Sequence, residues 1–160
     1  MNVTGDHNLK EHELESYLHA QIPASKALKM GVTSCSHQKI ELSAPLEPNI
    51  NHKNTAFGGS LSVIAILAGW SLVYMRLNGV HNEIVIQESA MTYLKPAHGP
   101  FTATSFYEDS KDWSTFHRAF ARRGRGRINV SSDILCGDEV VATFQGTYVA
   151  FNKEFTAHGA

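Results

Sequence analysis

The chain has 160 residues, 42% hydrophobic and 18% charged, with a formal net charge of −1 and a pI near 6.7. That length and composition imply one ordinary soluble domain spanning 1–160 with a single substantial core, and the charge balance excludes nucleic acid as the main partner, since phosphate binding shows as a strong basic excess. Cys35 and Cys136 stand far apart, which implies neither a disulfide framework nor a zinc site, and the first residues have no charged-then-apolar leader, so the cytoplasm is the expected compartment.

In chain order, an N-terminal helix is expected within 1–22. Asn8-Leu-Lys-Glu11 has the form of a capping box ahead of Leu14, Tyr17, Leu18 and Ile22, and Pro23 ends the segment. Alternation from Leu28 through Met30 and Val32, then Ile40, Leu42 and Ala44, predicts two strands around a polar break at Ser36-His37-Gln38. Pro45 and Pro48 open an Asn-rich loop, 45–59, that ends in Gly58-Gly59. Residues 60–77 then form a helix apolar on every side, ending near Asn78-Gly79. A membrane span wants about 20 apolar residues, and this run is shorter and holds Ser62, Gly69 and Ser71. It reads as a core helix wrapped by a sheet, with no membrane implied.

The second half is mostly strand. Glu83–Leu94 alternates, putting Glu88 with Ile84 and Ile86 and putting Ser89 on the opposite face, and Phe101–Tyr107 follows a Pro/Gly turn. Ser110 caps a helical insertion over 110–124 whose Trp113, Phe116, His117 and Phe120 share one face, and Gly124 ends it. Arg125–Leu135 and Glu139–Phe151 form a hairpin about Gly137-Asp138. The fold class is therefore α+β, an antiparallel sheet curled round one long helix.

The start of the core helix is the candidate site. Its first turn leaves backbone N–H groups unpaired and positively polarised, and Gly58 and Gly59 let a ligand oxygen approach closely. The competing reading is a tight entry to a buried helix. Asn51 similarly offers either an amide donor or an Asx turn. The nine histidines are scattered, so no metal is assigned, and no Gly-x-Ser-x-Gly, Walker loop or dinucleotide fingerprint occurs.

The whole arrangement, entered through Asn51-x-x-Asn54-Thr55-x-Phe57-Gly58-Gly59, resembles the hotdog fold of acyl-thioester enzymes. More narrowly, 44–61, Leu67-Ala-Gly-Trp70, Tyr93-Leu-Lys-Pro96 and Arg123-Gly-Arg-Gly-Arg-Ile128 resemble one subfamily. It is the "putative thioesterase" domain that follows an N-acetyltransferase domain in some bacterial proteins and is associated with malonyl-acyl-carrier-protein decarboxylase activity. No stretch of this chain is left for the acetyltransferase part.

The resemblance implies a homodimer or higher homo-oligomer, an acyl carrier protein or coenzyme A thioester as substrate, and no cofactor beyond the phosphopantetheine that the substrate carries. It implies Asn51, Gly58 and Gly59 as catalytic. Asn54, Thr55, Phe57, Ile66 and Glu88 are implied to line the substrate site, Glu88 as a thioesterase base if it reaches the pocket, with an ion-paired or solvent-facing strand residue as the favoured alternative for it. Arg125 and Arg127 would meet the phosphopantetheine phosphate or an acidic carrier surface, a solvated edge being the alternative. Commoner hotdog thioesterases carry a His before the two glycines and a carboxylate about two turns into the helix; here Phe57 and Ile66 stand there. Malonyl decarboxylation needs no base, so it is expected ahead of thioester hydrolysis, with a non-catalytic acyl-thioester binding module as the reading from another class.

Overall fold

The computed structural model describes the backbone of residues 4–78 and 82–156 and the side chains of 10–78 and 82–155. The chain runs through α1 (Thr4–Gln21), α2 (Pro23–Ala27), β1 (Gly31–Cys35), β2 (Lys39–Ala44), α3 (Gly58–Arg76), β3 (Asn82–Tyr93), β4 (Phe101–Phe106), α4 (Lys111–Arg123), β5 (Arg125–Cys136), β6 (Glu139–Asn152) and α5 (Lys153–Thr156). Six antiparallel strands in the order β1-β2-β4-β5-β6-β3 make one sheet, leaving β1 and β3 as its edges.

The sheet packs on α3, whose Leu61, Ile64, Ala65, Leu67, Ala68, Leu72 and Val73 are all buried. Each such Leu or Ile removed from water stabilises the fold by about 1.5–3 kcal/mol. By length and mean hydropathy (1.6) this helix could cross a membrane, but 56% of that window is buried against the protein's own sheet. Two polar ties fix its depth. The Tyr148 hydroxyl donates to the Ile66 carbonyl at 2.7 Å, and the Ser132 hydroxyl reaches the Ala65 carbonyl at 3.3 Å while bonding Ser105 at 2.5 Å. Gly69 is required here because a Cβ would lie 2.5 Å from the Tyr148 oxygen.

One side of α3 stays half-open along Ser62, Val63, Ile66, Trp70 and Tyr74. Tyr17 of α1 stacks on both aromatic residues, at 6.1 Å from Trp70 and 5.3 Å from Tyr74. The far end of α3 is closed instead. The Arg76 guanidinium lies 3.6 Å over the Tyr107 ring, which packs edge-on against Trp113 of α4 at 5.2 Å. The α4 helix lies on the same side of the sheet as α3. Gly126 allows this, since a Cβ there would come within 2.7 Å of the Phe116 ring.

Local signals set several boundaries as expected. Ser110 accepts from the Trp113 N–H, Gly124 takes φ 64° and closes α4, and Gly137 turns the β5–β6 hairpin at φ 61°. Others differ. The α1 backbone begins at Thr4, so Asn8 lies inside the helix rather than capping it; its side chain is outside the described residues, as is Gly79. Pro23 ends α1 and also opens α2, whose first position needs no N–H donor. Leu28 and Met30 therefore precede β1, with Lys29 at φ 53° making the turn. Gly58 and Gly59 belong to α3 itself, two residues earlier than expected.

The largest departure is in β3. A bulge between Ile86 and Glu88 leaves Gln87 without a ladder partner, so Ile86 pairs with Tyr148 while Glu88 pairs with Thr147. One extra residue moves every later side chain to the other face. Glu88 therefore joins Thr147 and Asn129 on the face turned away from α3, and Ser89, opposite Gly146, takes the helix side.

Candidate active site

The loop that delivers the chain into α3 is pinned by two asparagines. Asn49 is buried, and its amide donates to the Leu28 carbonyl at 2.9 Å and the Pro45 carbonyl at 2.8 Å, while its own backbone carbonyl accepts from the Phe57 N–H at 2.7 Å. Asn51 staples the tip. Its Oδ1 accepts from the backbone N–H of Lys53 (2.9 Å) and Thr55 (3.2 Å), and its Nδ2 donates to the Thr55 hydroxyl at 3.0 Å and the Ala56 carbonyl at 3.4 Å. Both ends of the amide are thus engaged inside the loop. The expected donor to a thioester carbonyl is, in this structure, an Asx-type staple. Thr55 is buried as its partner, and Asn54 is exposed at φ 58° on the turn. Asn51 and Thr55 thus use their side-chain polar groups on each other and on the loop backbone.

What the loop presents is the helix start itself. Phe57 is the N-cap residue, and its side chain has no oxygen with which to cap. Its carbonyl accepts from Ser60 at 2.9 Å and Leu61 at 3.2 Å, whereas among the described residues no acceptor reaches the N–H of Gly58 or Gly59. Those two donors carry the positive end of an α-helix of 19 residues.

An aromatic ring stands beside each glycine. The Tyr93 hydroxyl donates to the Gly58 carbonyl at 3.1 Å, and its ring would sit 3.2 Å from a Cβ at Gly58; the Phe57 ring lies directly against Gly59. Both rings are more than half exposed. Two aromatic rings thus flank the donor pair.

The two positions that carry the acid–base pair in the commoner hotdog thioesterases hold Phe57 and Ile66 here, neither of them ionisable. Ile66 occupies the helix two turns in, half-buried, and His52 is exposed on the loop tip. Glu88, expected to border the site, is turned outward by the bulge at Gln87. The thiol of Cys35 is buried and pushed up to about 11 by that burial, with Glu11 adding to it, which makes it a packing group rather than a nucleophile. Among the described residues no three His, Cys, Asp or Glu side chains gather as metal ligands would.

Arg125 and Arg127 are also outside this constellation. They are exposed on the outer face of β5, with Arg127 level with Val85, and Arg125 lies 5.2 Å over the Phe151 ring. The structure thus brings together Phe57, Gly58, Gly59 and the loop, with Ile66 two turns further along the helix, and leaves Glu88 and the two arginines apart. Tyr93 was visible in the sequence only as part of Tyr-x-x-Pro; its bond to Gly58, 35 residues away, is tertiary and has no local signature.

Comparison with known proteins agrees with this geometry. The family described as "Putative thioesterase (yiiD_Cterm)" matches residues 11–152. Among solved structures, a protein of unknown function from Chlorobaculum tepidum is 29% identical with a TM-score of 0.81, covering 89% of this chain and 94% of its own. The putative thioesterase from Shewanella oneidensis is 26% identical with a TM-score of 0.79, covering 90% and 99%. A thioesterase from Haemophilus influenzae, at 13% identity and a TM-score of 0.72 over 94% of each chain, shares the fold. With nearly its whole length matched, the chain belongs to the "putative thioesterase" (yiiD_Cterm) family, hotdog-fold enzymes of acyl thioesters.

Proposed function

We propose that this protein decarboxylates a malonyl thioester carried by acyl carrier protein, giving the acetyl thioester and CO2 in support of fatty acid synthesis initiation. The observation that carries the reading is the pair of N–H groups at Gly58 and Gly59, which no acceptor among the described residues reaches, flanked by the Phe57 and Tyr93 rings and with Ile66 rather than a carboxylate two turns into the helix. The thioester oxygen accepts from both donors. The bond between the α-carbon and the carboxylate then breaks; its electron pair enters the α-carbon–carbonyl-carbon bond, and charge collects on the oxygen as an enolate. Donors already aimed at that oxygen lower the barrier without reorganising. The enolate carbon takes a proton from water, and the thioester bond stays intact.

Hydrolysis makes a different demand. Water must be activated at neutral pH, which ordinarily requires a general base within hydrogen-bond reach. Ile66 cannot serve, and Glu88 faces away from α3. The phosphopantetheine belongs to the substrate, and no cofactor of the protein's own enters this scheme. Assembly is part of the proposal. β3 is a sheet edge of 12 residues, and pairing it with a second copy would cover it. Sedimentation at micromolar concentration is expected to give a dimer mass, and a monomer would count against this. Incubation of malonyl-carrier protein is expected to release CO2 and leave the carrier acylated. Release of free carrier thiol would replace this reading with thioester hydrolysis.

A further inference from the structure

One pair of neighbouring strands parts partway along the sheet. β4 is paired with β2 from Phe101 to Phe106 and β5 with β6 from Arg125 to Cys136, yet β4 and β5 pair with each other only at Thr102 with Leu135, Ala103 with Ile134 and Thr104 with Asp133. The Ser105 and Ser132 hydroxyls still meet one step further on. Past that point β5 keeps one ladder and loses the other. Alternate residues of an antiparallel strand turn their N–H and C=O to opposite neighbours, so every second residue over 128–131 presents both groups to the missing side. Among the described residues no other backbone group takes them up.

The gap opens into a hollow of about 290 Å³ whose lining includes Thr104, Phe106, Glu108, Asp112, Trp113 and Asp133. Trp113 and Thr104 are 5% and 6% exposed, and neither the indole N–H nor the threonine hydroxyl has a hydrogen-bond partner among the described residues. A buried indole N–H ordinarily finds one. Packing on Tyr107 and Phe116 holds the Trp113 ring in place, so its acceptor has to come from outside the fold. No Lys, Arg or His lines the hollow, and its three carboxylates, Glu108, Asp112 and Asp133, form no ion pair among the described residues. Arg127 lies in an adjoining hollow that Asp112 also borders.

These features discriminate between ligands. A metal ion is not matched, because no three His, Cys, Asp or Glu side chains gather as ligands among the described residues. An anion would meet three negative charges. A polyamine answers those charges but offers the indole N–H no acceptor. An extended peptide with Lys or Arg side chains supplies everything: amides for the free side of β5, a carbonyl for Trp113 and Thr104, and cations for the carboxylates. We propose that the gap between β4 and β5 takes a short extended segment of a basic partner protein, added alongside β5 as a strand. Over 128–131 that segment runs for about 13 Å, at about 3.3 Å per residue. The inference goes beyond the thioester reading and does not rest on it.

The test is binding of an acetylated, amidated Lys-Val-Lys-Val-Lys peptide, read by NMR at the indole N–H signals of Trp113 and Trp70. Trp70 donates to the Ile84 carbonyl and serves as the internal reference. The expected result is a saturable movement of the Trp113 signal with Trp70 unmoved. In the double variant Asp112→Asn/Asp133→Asn, whose free spectrum reports its folding, affinity should fall at least about 10-fold. Glu108→Gln, in the loop after β4, is the second variant and should weaken binding about 3-fold. N-methylation of every second amide of the peptide should abolish binding in one of its two phases and spare it in the other. No movement of Trp113 at millimolar peptide overturns the proposal, as does unchanged affinity in the variants or equal binding of the two methylated peptides. Equal movement by spermine, lost in the same variants, would also overturn it, making the hollow an amine site without strand pairing.

Discussion

The two ends of the core helix are finished in opposite ways. At its N-terminus side-chain caps are absent: Phe57 offers no side-chain oxygen, Gly58 and Gly59 offer no side chains, and no acceptor among the described residues reaches their two N–H groups, which lie beside the exposed Phe57 and Tyr93 rings. At its C-terminus Arg76 lies over Tyr107 and donates to the His37 carbonyl at 3.3 Å, and α4 closes over the pair. One end leaves backbone polarity unsatisfied where a substrate oxygen can use it, while the other spends aromatic and cationic groups on packing. Substitutions at the two ends should accordingly separate turnover from stability.

The largest effect is expected at the open end. Gly59→Val places a branched side chain where the Phe57 ring lies and obstructs the donor pair, so turnover of the malonyl thioester should fall by about 10²–10³, the scale of losing one oxyanion donor. Thermal denaturation of the same variant is expected to shift by only a few degrees; a collapse of Tm with normal activity per folded molecule would reverse the assignment. At the closed end Trp113→Ala removes a buried ring packed on Tyr107 and Phe116, costing about 3–5 kcal/mol. Urea unfolding should register that loss while kcat of the remaining folded protein stays near normal.

Asn51 lies between these cases. Its amide contacts stay within the loop, so Asn51→Ala is expected to cost about 1–3 kcal/mol in urea unfolding and to lower turnover by loosening the approach to Gly58. Activity lost with stability unchanged would return Asn51 to direct contact with substrate.

A smaller effect should follow pH at the closed end. Burial, with Arg76 adding to it, lowers the pKa of His117, and its Nε2 is buried without a partner among the described residues. A depressed folded value means protons bind more readily to the unfolded chain. The associated stability is therefore present above the unfolded pKa near 6.5 and lost as pH falls through the folded value. His117→Phe should flatten that acid limb of Tm against pH, and an unaltered limb would assign it to other groups. The smallest effect is expected for Glu88→Gln, which should leave kcat unchanged because the carboxylate faces away from α3. Abolished turnover there would mean a base-assisted hydrolase.

The contrast between the two ends was only half legible in the sequence. The apolar run from Ser60, the Gly-Gly entry, the Ser110 cap and the Gly124 and Gly137 turns are local signals, and each fixed its element to within a few residues. Alternation alone left Glu88 between a site-lining and a solvent-facing reading, because the bulge at Gln87 that turns it outward is decided by how β3 must bend against β6. Asn51 could be read two ways until Thr55 and Ala56 were seen to occupy its amide. Tyr93 on Gly58, Phe57 on Gly59 and the distance from Arg127 to the glycines depend on how remote segments meet, which spacing along the chain does not encode.

The central claim is that the glycine pair stabilises an enolate formed by loss of CO2. Its most direct test is the intact mass of malonyl-carrier protein after reaction in D2O, with Gly59→Val in parallel. The account predicts an acetyl-carrier product bearing one solvent deuterium on its methyl group, formed by the unaltered protein and nearly absent with the variant. Free carrier thiol, or the acetyl product formed equally well by Gly59→Val, would contradict it.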